Sequence, residues 1–322
     1  MALYLTYDNQ AMQDGLGAQA LRIIGIYSIA RKYRIRYLHS PILETIEEFA
    51  HGIRDEKDLQ CLVNRTNELF DLPTYSNVDS FDLEIKVHNL NLRLLVRMLL
   101  RYKFSRKSVL LKVCLPFGVM DKDPSSYEHA TDYIRKKHGS LFKVSREEQV
   151  VVHFRMGYGQ TTAVLKHVKP RFLPLDYFIS AIQKMSEMKL SSQIKKMIIH
   201  TDLSNTKTFW APSRKRLEQN ISFGEKIIDG KVLVPRNDVL MMFSSIHGFD
   251  LEVKYCADFF ETFFDMVNAD VLIISRSAFS YLAALFNTNL VIYPSSHGHA
   301  KLDYWLSSNS LGLDQTYELI PG

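Results

Sequence analysis

The chain has 322 residues, of which 46% are hydrophobic and 23% charged, a composition that excludes disorder over most of its length. Its 40 lysines and arginines against 35 aspartates and glutamates give a net charge of +5, and these basic residues are scattered, so the basic stripe of a nucleic-acid-binding protein is not indicated. Three widely spaced cysteines, Cys61, Cys114 and Cys256, predict neither a disulfide framework nor a zinc site.

The N-terminal part of the chain has the pattern of a doubly wound α/β domain. A strand is predicted over residues 3–7, followed by a turn-rich stretch that contains two glycines. A helix with an apolar face begins near Leu16, and a short strand over residues 37–41 stops at Pro41. The order strand, glycine loop, helix, strand is typical of the start of a Rossmann-like domain.

The remaining elements divide the chain into two predicted domains. Residues 43–100 are predicted to be mostly helical, and a strand over 108–117 and a basic helix within 125–147 follow. A new strand begins directly afterwards, so we place the boundary between residues 1–147 and 148–322. The second part alternates helices with further strands and predicts a second parallel sheet. These strands are expected at residues 149–154, 195–202, 232–235, 269–275 and 290–294.

The N-terminal residues and the apolar runs lead to an expectation about location, and the two predicted sheets lead to an expectation about the binding site. The first residues lack the basic and apolar regions of a signal peptide, and no apolar run is long enough to span a bilayer. We therefore expect a soluble protein without a transmembrane segment and assign it to the cytoplasm; removal of an anchor is an open alternative. Two open α/β sheets predict a cleft between them, with ligands at the carboxyl ends of the strands.

The glycine loop after the first strand is the first candidate for ligand binding. Gly15 and Gly17 follow Asp14 at a strand-to-helix turn, where glycine allows close approach of the backbone. The helix that begins there has unpaired N–H groups that favour anions. A tight turn used only for packing is the alternative.

Three further candidates lie at the predicted ends of strands in the second domain. His153 and Arg155 are two residues apart and share one side of a strand, and arginine suits a phosphate because its planar fork makes paired hydrogen bonds. Asp202 follows the next strand and is expected either to bind a base or ribose or to cap the following segment. The last candidate is the helix start that contains Ser275, Ser277, Phe279 and Ser280, where hydroxyls and N–H groups predict a diphosphate site.

Two metal-like patterns have weaker support. Asp121 and Asp123 form an Asp-x-Asp pattern of the kind that holds a divalent cation in another architecture of sugar transferases, but two carboxylates are a small ligand set. His297 and His299 lack the remaining ligands of a metal site nearby. We therefore expect no metal and no cofactor.

Taken in order, these motifs resemble the superfamily of α-1,2-, α-1,6- and protein O-fucosyltransferases. The similarity covers about residues 13–40 and 150–295: the glycine loop, the His-x-Arg-x-Gly strand at 153–157, the Leu-to-Ile segment at 173–182, the acidic strand end at 202 and the Ser-x-x-Ser-x-x-Ala block at 277–283. Met156 and Tyr158 depart from the family pattern, as do Leu203 and Ala18. Residues 43–147 match nothing in the family.

The resemblance implies a GT-B fold, that is, two Rossmann-like domains, and an inverting, metal-independent transfer of a sugar, with fucose from GDP-fucose as the expected donor, to a glycan acceptor. Arg155 would contact the diphosphate with help from Ser277 and Ser280, and His153 and Asp202 would hold the nucleotide. Asp14 and His39, at loop and strand ends of the first domain, are our predicted general bases.

Several alternatives stay open at this stage. The same fold could use another donor such as UDP-xylose, or the chain could be a non-catalytic module that binds nucleotides or carbohydrates. A metal-dependent transferase that uses Asp121 and Asp123 would lose activity with a chelator.

Overall fold

A computed structural model gives the structure of the protein and describes residues 2–11, 14–44, 56–75, 80–102, 107–142, 148–155, 173, 175–188, 193–201, 209–210, 226–228, 231–233, 237–255 and 257–313. The chain divides into two compact units. The first comprises Met1–Lys143 with Gly298–Leu302, and the second comprises Val144–His297 with Asp303–Gly322.

The first unit is built on a parallel sheet, and its described part has four strands in the order β2-β1-β4-β3. Its elements are β1 (Ala2–Tyr7), α1 (Leu16–Lys32), β2 (Arg36–Tyr37), α2 (Glu56–Leu69), β3 (Leu83–Asn89), α3 (Leu92–Tyr102), β4 (Ser108–Leu115), α4 (Phe117–Met120) and α5 (Glu128–Lys137). The helix α1 follows the glycine loop and is buried along nearly its whole length, because it packs on β1 and is covered by α5.

The short helix α4 requires a glycine at position 118. A Cβ atom there would lie 2.8 Å from the carbonyl oxygen of Leu90 and 3.2 Å from the Cα of Asn91, closer than backbone atoms can accommodate without moving. This close approach holds the loop after β3 against the start of α4.

We expect Gly118→Ala to lower the free energy of unfolding by about 1–3 kcal/mol, because an added methyl group forces the backbone apart. Urea denaturation measures the difference. Gly298→Ala is the matched control, since a Cβ at Gly298 would meet no atom within 4 Å, and it is expected to change stability by less than about 0.5 kcal/mol. Equal stability of the two variants would contradict this account.

The second unit contains a larger parallel sheet, with six described strands in the order β10-β6-β5-β11-β12-β13. Its elements are β5 (Gln149–Phe154), α6 (Leu175–Glu187), β6 (Lys196–Thr201), α7 (Asn237–Met242), β10 (Asp250–Tyr255), α8 (Phe259–Val267), β11 (Val271–Ile273), α9 (Ala278–Phe286), β12 (Leu290–Tyr293) and β13 (Leu306–Ser307). Three short strands form a separate antiparallel sheet, β7 (Phe209–Trp210), β8 (Lys226–Ile228) and β9 (Lys231–Leu233).

The core of this sheet follows from its sequence. Every residue of β5 is buried, as are the three residues of β11, because both strands are apolar runs with neighbours on each side. One face packs on α6 through Phe154 and Phe178, whose rings meet edge to face with centroids 5.1 Å apart. The helices α8 and α9 pack against each other through the rings of Phe263 and Phe286.

These two parallel sheets with their helices confirm the predicted α/β fold class. The edge strands β3, β10 and β13 were not predicted. The assignment of the strand over 232–235 to the parallel sheet is wrong, because β9 pairs antiparallel with β7 and β8. The predicted cleft and the roles assigned to the two domains stay predictions. Over the described residues, the helices are too short or too polar to cross a lipid bilayer.

Candidate functional site

The candidate site lies where the strand order of the second sheet reverses. The chain runs outward from β5 to β6 and β10, and then returns to place β11 on the other side of β5. Val152 of β5 is paired with Ile273 of β11, so the residues that follow these two strands emerge next to each other. In an open parallel sheet, the carboxyl ends at such a reversal are the usual location of a ligand site.

A buried hydrogen-bonded group occupies this position. His153 is the second-last residue of β5 and is 5% exposed, and its Nδ1 lies 2.8 Å from the hydroxyl of Ser275, which follows β11. The hydroxyl of Ser275 is 3.4 Å from that of Ser280. The structure therefore joins three predicted site residues from two parts of the chain that are far apart in sequence.

The serines after β11 also shape the start of α9. Ser277 is its N-cap, and its hydroxyl accepts a hydrogen bond from the N–H of Phe279 at 3.2 Å. The hydroxyl of Ser280 donates to the carbonyl oxygens of Ser275 and Ser277 at 3.1 and 3.2 Å. These bonds hold the turn in one conformation, and the first turn of the helix provides the N–H groups and the positive end of the helix dipole.

Aromatic rings fix the position of the histidine beside this turn. The ring of Phe279 lies edge to face with that of His153, with centroids 5.9 Å apart, and it also packs against Phe259, with centroids 4.7 Å apart. Arg155 follows the last residue of β5 and is half-buried. A cation, a histidine and a helix N-terminus at the ends of adjacent strands make an arrangement that can bind a phosphate.

The glycine loop of the first unit contains a buried ion pair that the sequence did not indicate. A terminal nitrogen of Arg22, which lies on α1 and is 3% exposed, is 2.6 Å from the carboxylate of Asp14. Burial lowers the pKa of Arg22, but its hydrogen bond to the Tyr7 hydroxyl and the charge of Asp14 outweigh this and raise it. The side-chain carboxylate of Asp14 also accepts the N–H of Gly15 at 2.9 Å, and Gly17 is buried in the first turn of α1.

His39, the other predicted base, lies two residues after β2. Its Nδ1 is 3.1 Å from the hydroxyl of Tyr37, and its backbone N–H donates to the hydroxyl of Thr74. Burial lowers the pKa of His39 below 6.5, so the imidazole is neutral at pH 7. A neutral imidazole can accept a proton, as a general base must.

The remaining residues that were considered for nucleotide or metal binding are the aspartates at positions 202, 121 and 123. Asp202 lies outside the described residues. The carboxylate of Asp121 accepts the N–H of Ala300 at 3.2 Å and is 3.5 Å from His299, and that of Asp123 bonds the hydroxyls of Ser125 and Ser126. Within the described ranges, no three acidic, histidine or cysteine side chains cluster as a metal site would require.

A polar cluster next to the candidate site was missed by the sequence interpretation. The carboxylate of Asp265, on α8, lies 2.9 Å from Nε2 of His200 and 2.7 Å from Nζ of Lys254. His200 is paired with His153 in the neighbouring strand and with Lys254 in the other, so the three share one face of the sheet. The only signal in the sequence was a single aspartate within the phenylalanine-rich helix α8, a pattern too common to single out.

This cluster predicts a stability difference that depends on pH. Burial raises the pKa of Asp265, but hydrogen bonds from His200 and Lys254 outweigh it and hold the pKa below 3.8. The contribution to stability is therefore complete above pH 3.8 and is lost as the pH falls through the folded-state value. We expect Asp265→Asn to lower the free energy of unfolding by about 2 kcal/mol at pH 7, with a difference from wild type that shrinks below pH 3.8.

Urea titrations at several pH values measure this difference. Glu187→Gln is the matched control, because its ion pair with Lys184 is exposed and is expected to contribute less than about 0.5 kcal/mol. A difference for Asp265→Asn that stays constant down to pH 2 would show that ionisation of the carboxylate is not the cause.

Comparisons with known proteins add three similar structures. The E. coli heptosyltransferase WaaC with ADP is 10% identical, with a TM-score of 0.38 over 98% of this chain and 96% of that chain. POFUT1 in complex with GDP-fucose is 10% identical, with a TM-score of 0.42 over 95% of this chain and 97% of that chain. The fucosyltransferase NodZ from Bradyrhizobium is 11% identical, with a TM-score of 0.31 over 89% of this chain and 92% of that chain.

No family model and no curated protein sequence matches the chain. Because each of the three TM-scores is below 0.5, we take neither an activity nor a site residue from these structures.

Proposed function

We propose that the protein is a glycosyltransferase that takes a sugar from a nucleoside-diphosphate donor, with GDP-fucose as the first candidate. The observation that carries the proposal is the hydrogen-bonded group of His153, Ser275 and Ser280 at the reversal of strand order, beside Arg155 and the N-terminus of α9. This place in a parallel sheet suits a nucleotide, and a cation with a helix N-terminus suits its diphosphate.

The chemistry of sugar transfer explains why these groups would matter. Cleavage of the bond between the sugar and the diphosphate leaves negative charge on the departing phosphate. A guanidinium held at that position, with the dipole of α9 directed to the same charge, stabilises the transition state more than the ground state. In our proposal, Arg155 is the main electrostatic stabiliser, Ser277 and Ser280 support the helix start, and His153 and Asp202 contact the nucleotide.

The acceptor hydroxyl needs a general base, for which His39 and Asp14 are the candidates. The lowered pKa of His39 keeps its imidazole neutral and supports this role. Asp14 is engaged by Arg22 and by the N–H of Gly15, which favours a structural role for its carboxylate. We therefore rank His39 first.

The donor is the finer part of the proposal and rests on the fucosyltransferase resemblance. The departures at Met156 and Tyr158 leave UDP-xylose as the second candidate donor. A non-catalytic nucleotide-binding module would have the same site residues without turnover. The proposed transfer needs no metal, so a chelator should leave turnover unchanged.

Nucleotide binding tests the proposal. A ligand that binds only the folded state at about 100 times its Kd stabilises the protein by about 2.7 kcal/mol, so GDP should raise the thermal midpoint and UDP should not. Release of GDP from GDP-fucose with an acceptor glycan then tests transfer. Binding without transfer or hydrolysis favours the non-catalytic module, and loss of turnover with a chelator favours the metal-dependent alternative. The absence of any effect of GDP, UDP or their sugars would refute the proposal.

A further inference from the structure

We propose that the outer surface of α3 in the first unit binds the surface of an anionic lipid bilayer. This surface consists of two rows of side chains, an apolar row of Leu92, Val96 and Leu100 and a basic row of Arg93, Arg97 and Arg101. The inference is independent of the proposed sugar transfer, because it uses none of the residues assigned to that reaction.

The apolar row is exposed where a soluble surface would usually have polar side chains. Leu92, Val96 and Leu100 are 39%, 41% and 65% exposed. They recur every four residues and so form one row along the helix. The helix has its own buried side, which contains Leu95 and Tyr102, so the exposed row is additional to the side that packs on the protein.

The basic row lies beside the apolar row. Arg93, Arg97 and Arg101 are all exposed, each follows a residue of the apolar row directly, and the two rows are therefore separated by about 100° around the helix. Over the described part of the chain, none of the three arginines forms an ion pair with an acidic side chain. Their charge is therefore available to a partner outside this chain.

The surrounding sequence has an unusually one-sided charge. Residues 85–120 contain eight lysines and arginines and neither aspartate nor glutamate, whereas the whole chain has 35 acidic residues. Lys112 of this segment pairs with Glu84 of β3, so the excess of positive charge is carried mainly by the arginines of α3 and the basic residues that follow the helix. An acidic partner complements it, and a second copy of the same surface would be repelled by it.

The combination of the two rows favours a bilayer over other acidic partners. A short helix with large aliphatic side chains beside arginines is the pattern of helices that lie in the interface of anionic membranes, with the apolar row among the acyl chains and the arginines at the headgroups. A single-stranded nucleic acid stacks its bases on aromatic side chains, and the six residues of this surface include none. A duplex would contact the arginines through its phosphates but would leave the aliphatic row without a partner.

Flotation of the full-length protein with lipid vesicles tests the proposal. We expect binding to phosphatidylcholine vesicles in which about a third of the lipid is phosphatidylserine, and much weaker binding to pure phosphatidylcholine. Binding should weaken at about 1 M salt, where the Debye length falls to about 3 Å. Equal binding to both kinds of vesicle, or to neither, would overturn the proposal.

Two double variants separate the contributions of the rows. Arg97→Gln with Arg101→Gln should lower the partition coefficient on anionic vesicles about 30-fold, since each arginine near such a surface contributes about fivefold. Val96→Ser with Leu100→Ser should lower it about tenfold or more. All four positions are exposed, so the variants are expected to unfold at the wild-type temperature.

Matched controls remove the same kinds of side chain elsewhere. Lys122→Gln with Lys136→Gln removes two exposed charges from the first unit, and Met241→Ser removes an exposed apolar side chain from the second. Both should bind like wild type. Equal losses of vesicle binding in the controls and in the α3 variants would overturn the proposal. Two other results would also overturn it: binding of soluble polyglutamate in the absence of vesicle binding, and dimerisation of the protein that Leu100→Ser abolishes.

Discussion

Replacement of Arg155 with alanine is expected to reduce the kcat of sugar transfer by about 10²–10³. Arg155 follows β5 directly, and β5 pairs with β11, the strand that precedes α9. In our proposal its guanidinium stabilises the charge that develops on the departing diphosphate. Because this charge is larger in the transition state than in the bound donor, we expect the loss mainly in kcat. Steady-state measurement of GDP release, with GDP affinity determined by calorimetry, distinguishes the two parameters.

Two further variants sharpen this test. Arg155→Lys keeps the charge but loses the planar fork, so its turnover should lie between those of wild type and the alanine variant. Arg31→Ala removes an exposed arginine near the end of α1 and should leave turnover unchanged. A folded Arg155→Ala protein with near-normal turnover would remove Arg155 from the proposed mechanism.

Loss of the Asp14 carboxylate is expected to produce the largest change in stability. Asp14→Asn leaves the Arg22 guanidinium, whose side chain is only 4% exposed, without its anionic partner. A buried charge that loses its partner costs about 3–5 kcal/mol. Chemical denaturation at neutral pH measures the loss, and a loss of activity in this variant would then reflect unfolding as well as any role in catalysis.

The double variant Asp14→Asn with Arg22→Met removes the charge together with its partner. An apolar side chain of similar length is often tolerated at such a position, so we expect this protein to recover most of the lost stability. It also keeps the test informative where the single variant fails to fold. If the double variant is stable and inactive, Asp14 gains support as the base; if it is stable and active, Asp14 has a structural role and His39 is favoured.

The elements that could be predicted are those whose local sequence leaves little choice. The strands β1, β4, β5, β11 and β12 are apolar runs bounded by polar residues, and helix α9 begins at the serine-rich turn that was predicted as a helix start. The edge strands β3 and β10 were missed because their sequences, LEIKVHN and DLEVKY, alternate apolar and charged residues. An edge strand has one neighbour and partial burial, so it lacks the apolar run that identifies a central strand.

The candidate site was predictable in its parts only. The sequence by itself determined that His153, Arg155 and Ser275 lie at the ends of buried strands, because apolar runs that end in polar residues show where a strand stops. Only the tertiary structure decided that β11 lies beside β5, which brings His153 within hydrogen-bonding distance of a serine 122 residues away. It likewise decided the pair Asp265–His200, because strand order and helix packing depend on contacts between distant residues that no local pattern encodes.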